Sequence, residues 1–278
     1  MQNIAIVFQC GGMRNAFTQG ALKVVGDLLQ SRANTVYAAS SGVETALYWL
    51  SNQPTEAKDV WLHQLTRPEV CGFRNLFRFG RLANVHYLVD VCCRELDIEA
   101  VLQSPVKVKV GVVCTERAET RFVELNRHNQ QSLRKATCAL PLLASPILLD
   151  NRLHLDGGTL DALPVEMVCR EEQFSKVVVF ANRPPGLVET HRLIERYLAF
   201  PINRGLRRGF AERSQRLERS WEFINQHPDP TRLFVVAPPQ PVPATRLCRN
   251  PGVMEETWDM GESYGHAILP QLEAFLNS

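Results

Sequence analysis

The sequence predicts an α/β fold with a mainly parallel central sheet, because it repeats a strand, a small-residue turn and a helix twice in succession. The first unit opens with Ile4–Phe8, a short apolar run with β-branched members that is typical of a strand buried on both faces. Gly11 and Gly12 interrupt this run. Residues 14–29 then carry apolar side chains at helical spacing, which indicates a helix packed on the sheet.

The second unit follows directly along the chain. Residues 35–38 form its strand, residues 40–42 its turn and residues 43–50 its helix. Two consecutive units of this kind indicate a parallel sheet with helices packed on its faces.

The rest of the chain is interpreted from the same periodicities. Residues 54–102 are helical in character and read as an insertion between strands of the sheet. We predict further strands at 106–113, 120–125, 152–155, 176–181 and 233–236, helices at 128–139, 189–226 and 253–276, and a proline-rich linker at 238–243. The character of the sequence changes after residue 186, so we predict a core at 1–186 and a helical C-terminal extension at 187–278 packed on it.

The composition excludes several classes of function. The 278 residues are 45% hydrophobic and carry a formal net charge of +2, which gives no reason to expect a nucleic-acid partner. The eight cysteines include no C-x-x-C pair and the histidines show no metal-ligand spacing, so we expect reduced thiols, no metal and no other cofactor. The sequence has no basic leader and no apolar run of about 18 residues, and we therefore expect a cytoplasmic protein without a membrane span.

A candidate nucleophile lies in the second turn. Hydrolases that use serine present it on a sharp strand-to-helix turn, with small residues two positions to either side. Around Ser40 these residues are Ala38 and Gly42, whereas a nucleophile at Ser41 would place the β-branched Val43 at a crowded position. Ser40 is therefore the better candidate. The alternative is that it only caps the following helix, since serine is a preferred N-cap residue.

The first turn is a candidate site for the oxyanion that forms during ester hydrolysis. Gly11 and Gly12 let backbone amides approach a substrate at the start of a helix, where the helix dipole favours negative charge. Arg14 is placed to orient this loop or to meet a phosphate headgroup. A nucleotide-binding loop is disfavoured because neither glycine-rich nucleotide motif is present, but an ordinary tight turn remains an alternative.

A candidate base follows the strand at 152–155. Asp156 stands at a strand end and is followed by Gly157 and Gly158, so it is not crowded and can reach a neighbouring loop. An ordinary aspartate, with a pKa of about 4, is a weak base at neutral pH, so it needs partial desolvation to serve. The alternative is a simple turn aspartate, because Asp-Gly is a common turn pair.

Taken together, the three segments resemble the patatin-like phospholipase family. That family has a G-G-G-x-[RK]-G loop, then G-x-S-x-G, then D-G-[GA], and this chain has CGGMRN at 10–15, AASSG at 38–42 and DGG at 156–158 in the same order. The flanking segments at 17–22, 136–141 and 161–165 are similar as well, and the likeness covers roughly residues 4–183.

The resemblance implies a three-layer α/β/α fold and hydrolysis of acyl esters of lipids without a metal. It implies a catalytic dyad of Ser40 and Asp156, with no histidine between them. The remaining implied site residues are the oxyanion loop and its supports, namely Gly11, Gly12, Met13, Arg14, Gly42 and Gly157.

Three positions depart from the family pattern. Cys10 replaces the first glycine of the loop, Asn15 replaces the last, and Ala38 replaces the first glycine of the serine turn. Ala38 adds only one methyl group, whereas Cys10 can crowd the oxyanion site. These departures motivate an alternative function, a catalytically weak or inactive lipid-binding protein with the same fold.

A histidine-dependent mechanism is a further alternative. His154 points to the same face of its strand as Asp156 by the two-residue period of a strand. In the familiar Ser-Asp-His order of α/β hydrolases the histidine comes last, and nothing marks His191, His227 or His266 as that partner.

Two segments are candidates for contact with lipid. Arginines crowd one helical stretch, which indicates either attraction to an anionic membrane surface or, as we favour, a solvated helix face with internal ion pairs. An aromatic and basic segment indicates either a lipid-contacting flap or core packing. The first set is Arg204, Arg207, Arg208, Arg213, Arg216 and Arg219; the second is Phe73, Leu76, Phe77 and Phe79 with Arg74, Arg78 and Arg81.

Overall fold

The computed structural model describes residues 2–141, 143–171, 173–187, 204–227, 229 and 231–278, without the side chains of Phe79 and Arg204. In the described residues a sheet of eight strands has the order β5-β6-β3-β2-β1-β7-β8, with β4 paired to β3 beside this path. The strands are β1 Ile4–Phe8, β2 Ala33–Ala38, β3 Lys107–Cys114, β4 Glu119–Glu124, β5 Ile147–Leu149, β6 Arg152–Asp156, β7 Lys176–Phe180 and β8 Leu233–Val236.

The centre of the sheet is parallel and one side is antiparallel. Strands β3, β2, β1, β7 and β8 run in the same direction, whereas β4, β6 and β5 are antiparallel to their neighbours. This arrangement confirms the predicted α/β class with a mainly parallel sheet. The three-residue strand β5 was not predicted, because so short a run carries no readable periodicity.

Helices cover both faces of the sheet and complete three layers. Ile4, Ile6 and Phe8 of β1 pack into one core cluster, while Ala5 and Val7 pack into another on the opposite face. The helices are α1 Asn15–Gln30, α2 Ser41–Leu50, α3 Pro54–Asp59, α4 Phe73–Phe79, α5 Val85–Glu95, α6 Ile98–Gln103, α7 Gln130–Thr137, α8 Val165–Arg170, α9 Arg204–Ala211, α10 Arg213–Asn225 and α11 Pro251–Asn277. A turn of π-helix at Val60–Gln64 and 3₁₀ turns at Gly12–Arg14 and Gly157–Thr159 add to them.

The helix predictions agree with the structure where the chain is described. The insertion at 54–102 is helical, as predicted, and the predicted helix at 253–276 corresponds to α11. Of the predicted helix at 189–226, residues 204–211 and 213–225 are helical in α9 and α10, and residues 189–203 lie outside the described residues. His191 also lies outside them.

The C-terminal region packs closely against the N-terminal one. Helix α11 crosses α1 at glycines: a Cβ added at Gly261 would stand 2.0 Å from the carbonyl oxygen of Phe17, and one at Gly20 would stand 2.1 Å from that of Trp258. Strand β8 extends the parallel sheet beside β7. Residues 187–278 thus supply a strand and a core helix, and the domain boundary near residue 186 stays a prediction.

Candidate active site

Ser40 occupies a strained turn between β2 and α2. Its backbone has φ 56° and ψ −136°, a positive φ that a residue with a side chain rarely adopts. Its N–H donates to the Thr137 hydroxyl at 2.8 Å, and that hydroxyl donates to the Gly111 carbonyl at 2.7 Å. Thr137 therefore ties the serine turn to the middle of β3, so that tertiary contacts hold the unusual backbone.

Asp156 reaches Ser40 because two strands end against each other along β3. Strand β4 pairs with residues 109–114 of β3 along one edge. Two strands therefore share the other edge of β3: β2 pairs with its residues 107–110, and β6 pairs with its residues 112–114. The last paired residue of β2 is opposite Val110, and Asp156 at the end of β6 is opposite Val112. The two turns that follow these strand ends meet at Gly111, and this brings together the two residues that the sequence predicted as a dyad.

The carboxyl group of Asp156 is almost completely buried, with 1% of the residue exposed. Its Oδ1 accepts a hydrogen bond from the Gly158 N–H at 2.7 Å. Its Oδ2 makes no hydrogen bond of normal geometry with the described residues, although the Ser40 hydroxyl approaches closely enough to lower the pKa of the carboxyl group. Burial outweighs that effect and raises the pKa of Asp156 to about 6. A carboxylate with this pKa is a better base than an ordinary aspartate and is still mostly ionised at neutral pH.

The glycine loop lies between β1 and α1, and two of its amides already have acceptors. Gly11 N–H donates to Ser41 Oγ at 3.4 Å, and Met13 N–H donates to the Arg246 carbonyl at 3.0 Å. The amide of Gly12 has no acceptor among the described residues. Gly12 has φ +61°, and an added Cβ would come within 2.3 Å of the Arg246 carbonyl oxygen, so a side chain is excluded there. Gly12 is therefore the predicted oxyanion donor whose N–H is available in this structure.

Asn15, which departs from the family glycine, takes part in a buried amide network. Its Nδ2 donates to Ser41 Oγ at 2.9 Å, and its Oδ1 accepts from Asn182 Nδ2 at 2.6 Å. Asn182 Nδ2 also donates to the Gln9 carbonyl at 3.1 Å. The network connects the loop to the serine turn and to the end of β7, so Asn15 holds the loop in place.

The other predicted support residues lie around the same centre. Arg14 is buried, with 6% exposed. A Cβ added at Gly42 would stand 3.2 Å from Phe8 Cβ, and one at Gly157 would stand 2.4 Å from the Gly111 carbonyl oxygen. Cys10 is buried against Gly158, at whose position an added Cβ would meet the Cys10 sulfur at 2.2 Å. Burial raises the pKa of the Cys10 thiol, so it stays protonated near neutral pH.

An apolar cavity of about 100 Å³ opens beside Ser40. Gly12, Met13 and Ser41 line it on the side of the glycine loop. The apolar side chains that form its walls are Trp61, Leu65, Val70, Ala83, Val85, Leu88, Leu140, Leu143 and Leu247. These walls fit an apolar chain and offer few polar groups to a nucleotide or sugar.

Two arginines of the C-terminal region bond to the segment that follows Asp156, a role that the sequence did not predict because it favoured a solvated helix face for them. Arg213 Nε donates to the Gly158 carbonyl at 2.6 Å, and Arg216 Nη1 donates to the Leu160 carbonyl at 3.1 Å. Arg208 is exposed and pairs with Glu212 at 2.8 Å, as the solvated-face interpretation expects. Arg216 pairs with the same carboxylate at 3.3 Å in addition to its inward bond. One signal was available: residues 213 and 216 share a helix face with the buried residues Leu217 and Ser220.

Arg246 also reaches the centre, and no pattern in the sequence indicated it. It follows the predicted proline-rich linker and stands beside Gly12 in the cavity wall. Its position depends on long-range packing of the C-terminal region, which local periodicity does not encode.

His154 stands apart from the dyad. It is buried on β6, its Nδ1 lies 3.0 Å from the Arg152 carbonyl oxygen, and burial lowers its pKa. It pairs with Cys114 and Ile147 across the sheet and makes no hydrogen bond to Ser40 or Asp156. Within the part of the chain that the structure describes, no group of three His, Cys, Asp or Glu side chains is arranged to hold a metal ion. None of the described helices is both long and apolar enough to span a bilayer.

Comparisons with known proteins agree with the fold and the motif order. Residues 6–168 match the family model described as patatin-like phospholipase, and residues 205–277 match a domain of unknown function, DUF6363. The uncharacterized protein YjjU of Escherichia coli (strain K12) is 23% identical over 281 residues, which cover 96% of this chain and 77% of that protein. The crystal structure of VipD from Legionella pneumophila is similar with a TM-score of 0.50 and 11% identity, over 98% of this chain and 67% of that chain. At this identity the likeness to VipD concerns the fold alone.

Proposed function

Because the chain belongs to the patatin-like phospholipase family, we propose that it is a serine-dependent hydrolase of carboxylic esters of lipids. The observation that carries the proposal is the meeting of Ser40 and Asp156 at two strand ends on one edge of β3. Neither residue is exposed, and the aspartate has the raised pKa that a general base needs.

The proposed reaction has two halves. Ser40 Oγ attacks the carbonyl carbon of the ester while Asp156 takes the hydroxyl proton, and the carbonyl oxygen becomes an oxyanion. When the tetrahedral intermediate collapses, the bond to the alcohol breaks and the alcohol leaves with the proton from Asp156. Water then attacks the acyl-enzyme, again giving its proton to Asp156, and the fatty acid leaves as Ser40 recovers a proton.

We assign the Gly12 amide as the donor that meets the oxyanion first. Gly11 and Met13 join it when their present acceptors, Ser41 Oγ and the Arg246 carbonyl, are exchanged for the oxyanion. Removing a single oxyanion-hole donor from a serine protease costs about 100–1000-fold in turnover, so these amides would contribute substantially to the rate.

The cavity beside Ser40 supports an acyl chain as the part of the substrate that is recognised. Its apolar walls exclude water, which strengthens the electrostatic interactions around the serine. No metal or organic cofactor enters the proposed mechanism.

A surface next to this cavity supports contact with a lipid interface. Helix α4 projects from a loop whose ends pair at Cys71 and Ala83, two residues of the cavity wall. Phe73 and Phe77 on this helix are 77% and 89% exposed. We propose that α4 touches an anionic membrane surface while substrate enters, and that the protein acts in the cytoplasm.

The test is hydrolysis of short and long p-nitrophenyl esters by the wild type, Ser40→Ala and Asp156→Asn. We expect turnover to fall at least 1000-fold in both variants, because each lacks one half of the dyad. Ser31→Ala and Asp150→Asn are matched controls, since both residues are exposed, and they should keep wild-type turnover. Wild-type turnover by Ser40→Ala would contradict the mechanism.

The alternative function is a silent lipid-binding protein that keeps the fold. Two observations favour it. The Gly11 and Met13 amides already donate to acceptors within the protein, and the Cys10 sulfur packs against Gly158 near the proposed oxyanion site. A fluorophosphonate probe distinguishes the two functions, because it forms an adduct only with an activated serine. Folded protein that gains no adduct at Ser40 would favour the silent alternative.

A further inference from the structure

A buried ion pair joins the two helices that flank the serine turn. Arg134 of α7 donates from Nε and Nη2 to the two carboxylate oxygens of Glu44 on α2, at 2.9 Å and 2.6 Å. The side chains of Arg134 and Glu44 are 0% and 2% exposed. The third nitrogen, Nη1, lies 2.8 Å from the Cys93 sulfur on α5, so each nitrogen of the guanidinium group has a partner.

Each member of this pair stands about one helical turn from a residue that shapes the serine turn. Glu44 comes four residues after Ser40, the N-cap residue of α2. Arg134 comes three residues before Thr137, the last residue of α7, whose hydroxyl accepts from the Ser40 N–H at 2.8 Å. The ion pair therefore links the same two helices as that hydrogen bond, about one turn away from it on each helix.

The position of Glu44 raises the question of whether it is a second base for Ser40. It lines the cavity beside Ser40, where a carboxylate is a candidate for taking the hydroxyl proton. Both of its oxygens, however, accept charge-assisted hydrogen bonds from Arg134. Its oxygens are thus directed at the guanidinium group, so Glu44 couples α2 to α7 and leaves the proton transfer to Asp156.

Stability alone does not explain a buried ion pair. Removing two charges from water offsets much of their attraction, and well-packed apolar residues of similar volume are often equally stabilising or more so. An ion pair with two parallel hydrogen bonds adds direction, because it is favourable in one relative position of its partners, whereas apolar contact is not directional. Direction matters at Ser40, whose φ of 56° persists only where surrounding contacts hold it.

We propose that Glu44 and Arg134 are positioning residues of the serine turn. By fixing α2 against α7, they keep the Ser40 N–H on Thr137 and the Ser40 hydroxyl beside Asp156. This inference rests on the proposed ester hydrolysis and adds two residues to it. Loss of the pair should appear in kcat rather than in KM, because a displaced nucleophile slows the chemical step while the acyl cavity still binds substrate.

The kinetic test replaces the pair by apolar residues, Glu44→Leu with Arg134→Met, because removing one partner alone leaves a buried charge and can unfold the protein. We expect this double variant to keep a wild-type or higher Tm, while kcat for p-nitrophenyl butyrate falls about 10–100-fold and KM changes by less than about twofold. A wild-type kcat, or a loss that lies in KM, would overturn the proposal. A fall in kcat that only follows the folded fraction would mean a structural role and would overturn it as well.

Two further variants make the kinetic test specific. Lys23→Met with Glu262→Leu is the matched control, since this more exposed pair joins α1 and α11 at 2.7 Å, and it should keep the wild-type kcat. Arg134→Lys keeps the charge but not the two parallel hydrogen bonds, so its kcat should lie between those of the wild type and the apolar double variant. A wild-type kcat in Arg134→Lys would mean that charge alone suffices and would contradict the directional role.

Amide hydrogen exchange at Ser40 tests the positioning without any substrate. The Ser40 N–H is buried and bonded to Thr137, so its exchange should be slow in the wild type. The apolar double variant should speed this exchange about tenfold or more, whereas the control at Lys23 and Glu262 should not. Unchanged exchange in the double variant would overturn the inference. If the wild type hydrolyses no ester but exchange at Ser40 still depends on the pair, the proposed function fails and the coupling of the pair to the serine turn stands.

Discussion

At the scale of residues, the proposed chemistry depends on one buried carboxyl group. Asp156 is shielded from water, and desolvation raises its pKa to about 6 against the opposing influence of the Ser40 hydroxyl, the Gly158 N–H and two arginines. The raised pKa makes Asp156 a stronger base, but it also means that the ionised form is unfavourable in the folded protein. Activity and stability should therefore oppose each other at this residue.

Replacing Asp156 with asparagine should remove activity and increase stability. Near pH 8 the variant should gain about 2–3 kcal/mol in the free energy of unfolding, because the wild type must there keep a charge that the folded state disfavours. The gain should disappear as the pH falls toward 4, since the folded carboxyl group, with a pKa of about 6, is by then protonated. Urea unfolding at several pH values measures the difference.

The exposed Asp150→Asn is the matched control for this prediction, and its unfolding free energy should follow that of the wild type across the pH range. A constant effect of Asp156→Asn at every pH, or a loss of stability at about pH 8, would contradict the raised pKa.

At the scale of elements, the proposed dyad depends on how the secondary structure elements meet. Sequence reasoning predicted Ser40 from a local pattern, a strand followed by a tight turn and a helix, and it predicted Asp156 from the glycines that follow it. It did not predict that β6 would approach β3 from the opposite direction and end where β2 ends, because strand pairing between distant segments is not encoded in local periodicity. The pairing of Ser40 with Asp156 was predicted instead from the order of the three motifs along the chain, which resembles that of the family.

Helix α7 supports the serine turn through one hydroxyl group. Thr137→Val keeps the shape of the side chain but leaves the buried N–H of Ser40 without its acceptor at 2.8 Å. We expect a loss of about 1–3 kcal/mol in the free energy of unfolding, together with lower turnover, because the serine turn loosens. Thr115→Val removes an exposed hydroxyl bond to the Leu153 carbonyl and should cost little in either measurement. Equal effects of the two substitutions would contradict this role of Thr137.

Helix α4 should act only at a lipid surface. Replacing Phe73 and Phe77 together with serine should reduce binding to anionic phospholipid vesicles, since both side chains are exposed and stand among exposed arginines. Hydrolysis of a soluble short-chain ester should stay at the wild-type rate. Leu148→Ser is the control, because Leu148 is 61% exposed on β5. Unchanged vesicle sedimentation in the double variant would exclude α4 as the contact.

At the scale of the whole molecule, the C-terminal region is built into the patatin-like core. It adds β8 to the sheet, packs α11 along α1, and brings Arg213 and Arg246 to the loops around Ser40. Sequence reasoning predicted a helical extension packed on the core but could not predict these contacts, because each joins residues more than about 50 positions apart. The region of unknown function thus belongs to the structure of the site.

The crossing of α1 and α11 should be sensitive to a single side chain. Gly261→Val should destabilise the protein by about 3 kcal/mol or more, because even a Cβ there would stand 2.0 Å from the Phe17 carbonyl oxygen and the helices would have to separate. Gly252→Ala is the control, since its nearest neighbour lies 3.4 Å away. Thermal unfolding measures both variants, and a wild-type Tm for Gly261→Val would contradict the packing.

The central claim is that Asp156 activates Ser40, and the pH dependence of serine labelling tests it most directly. The rate at which a fluorophosphonate modifies Ser40, followed by intact mass and peptide mapping, should rise with pH and reach half its maximum near the Asp156 pKa of about 6. Asp156→Asn should lose this labelling while remaining folded. Labelling that is independent of pH, an adduct at another serine, or an unchanged rate in Asp156→Asn would contradict the account.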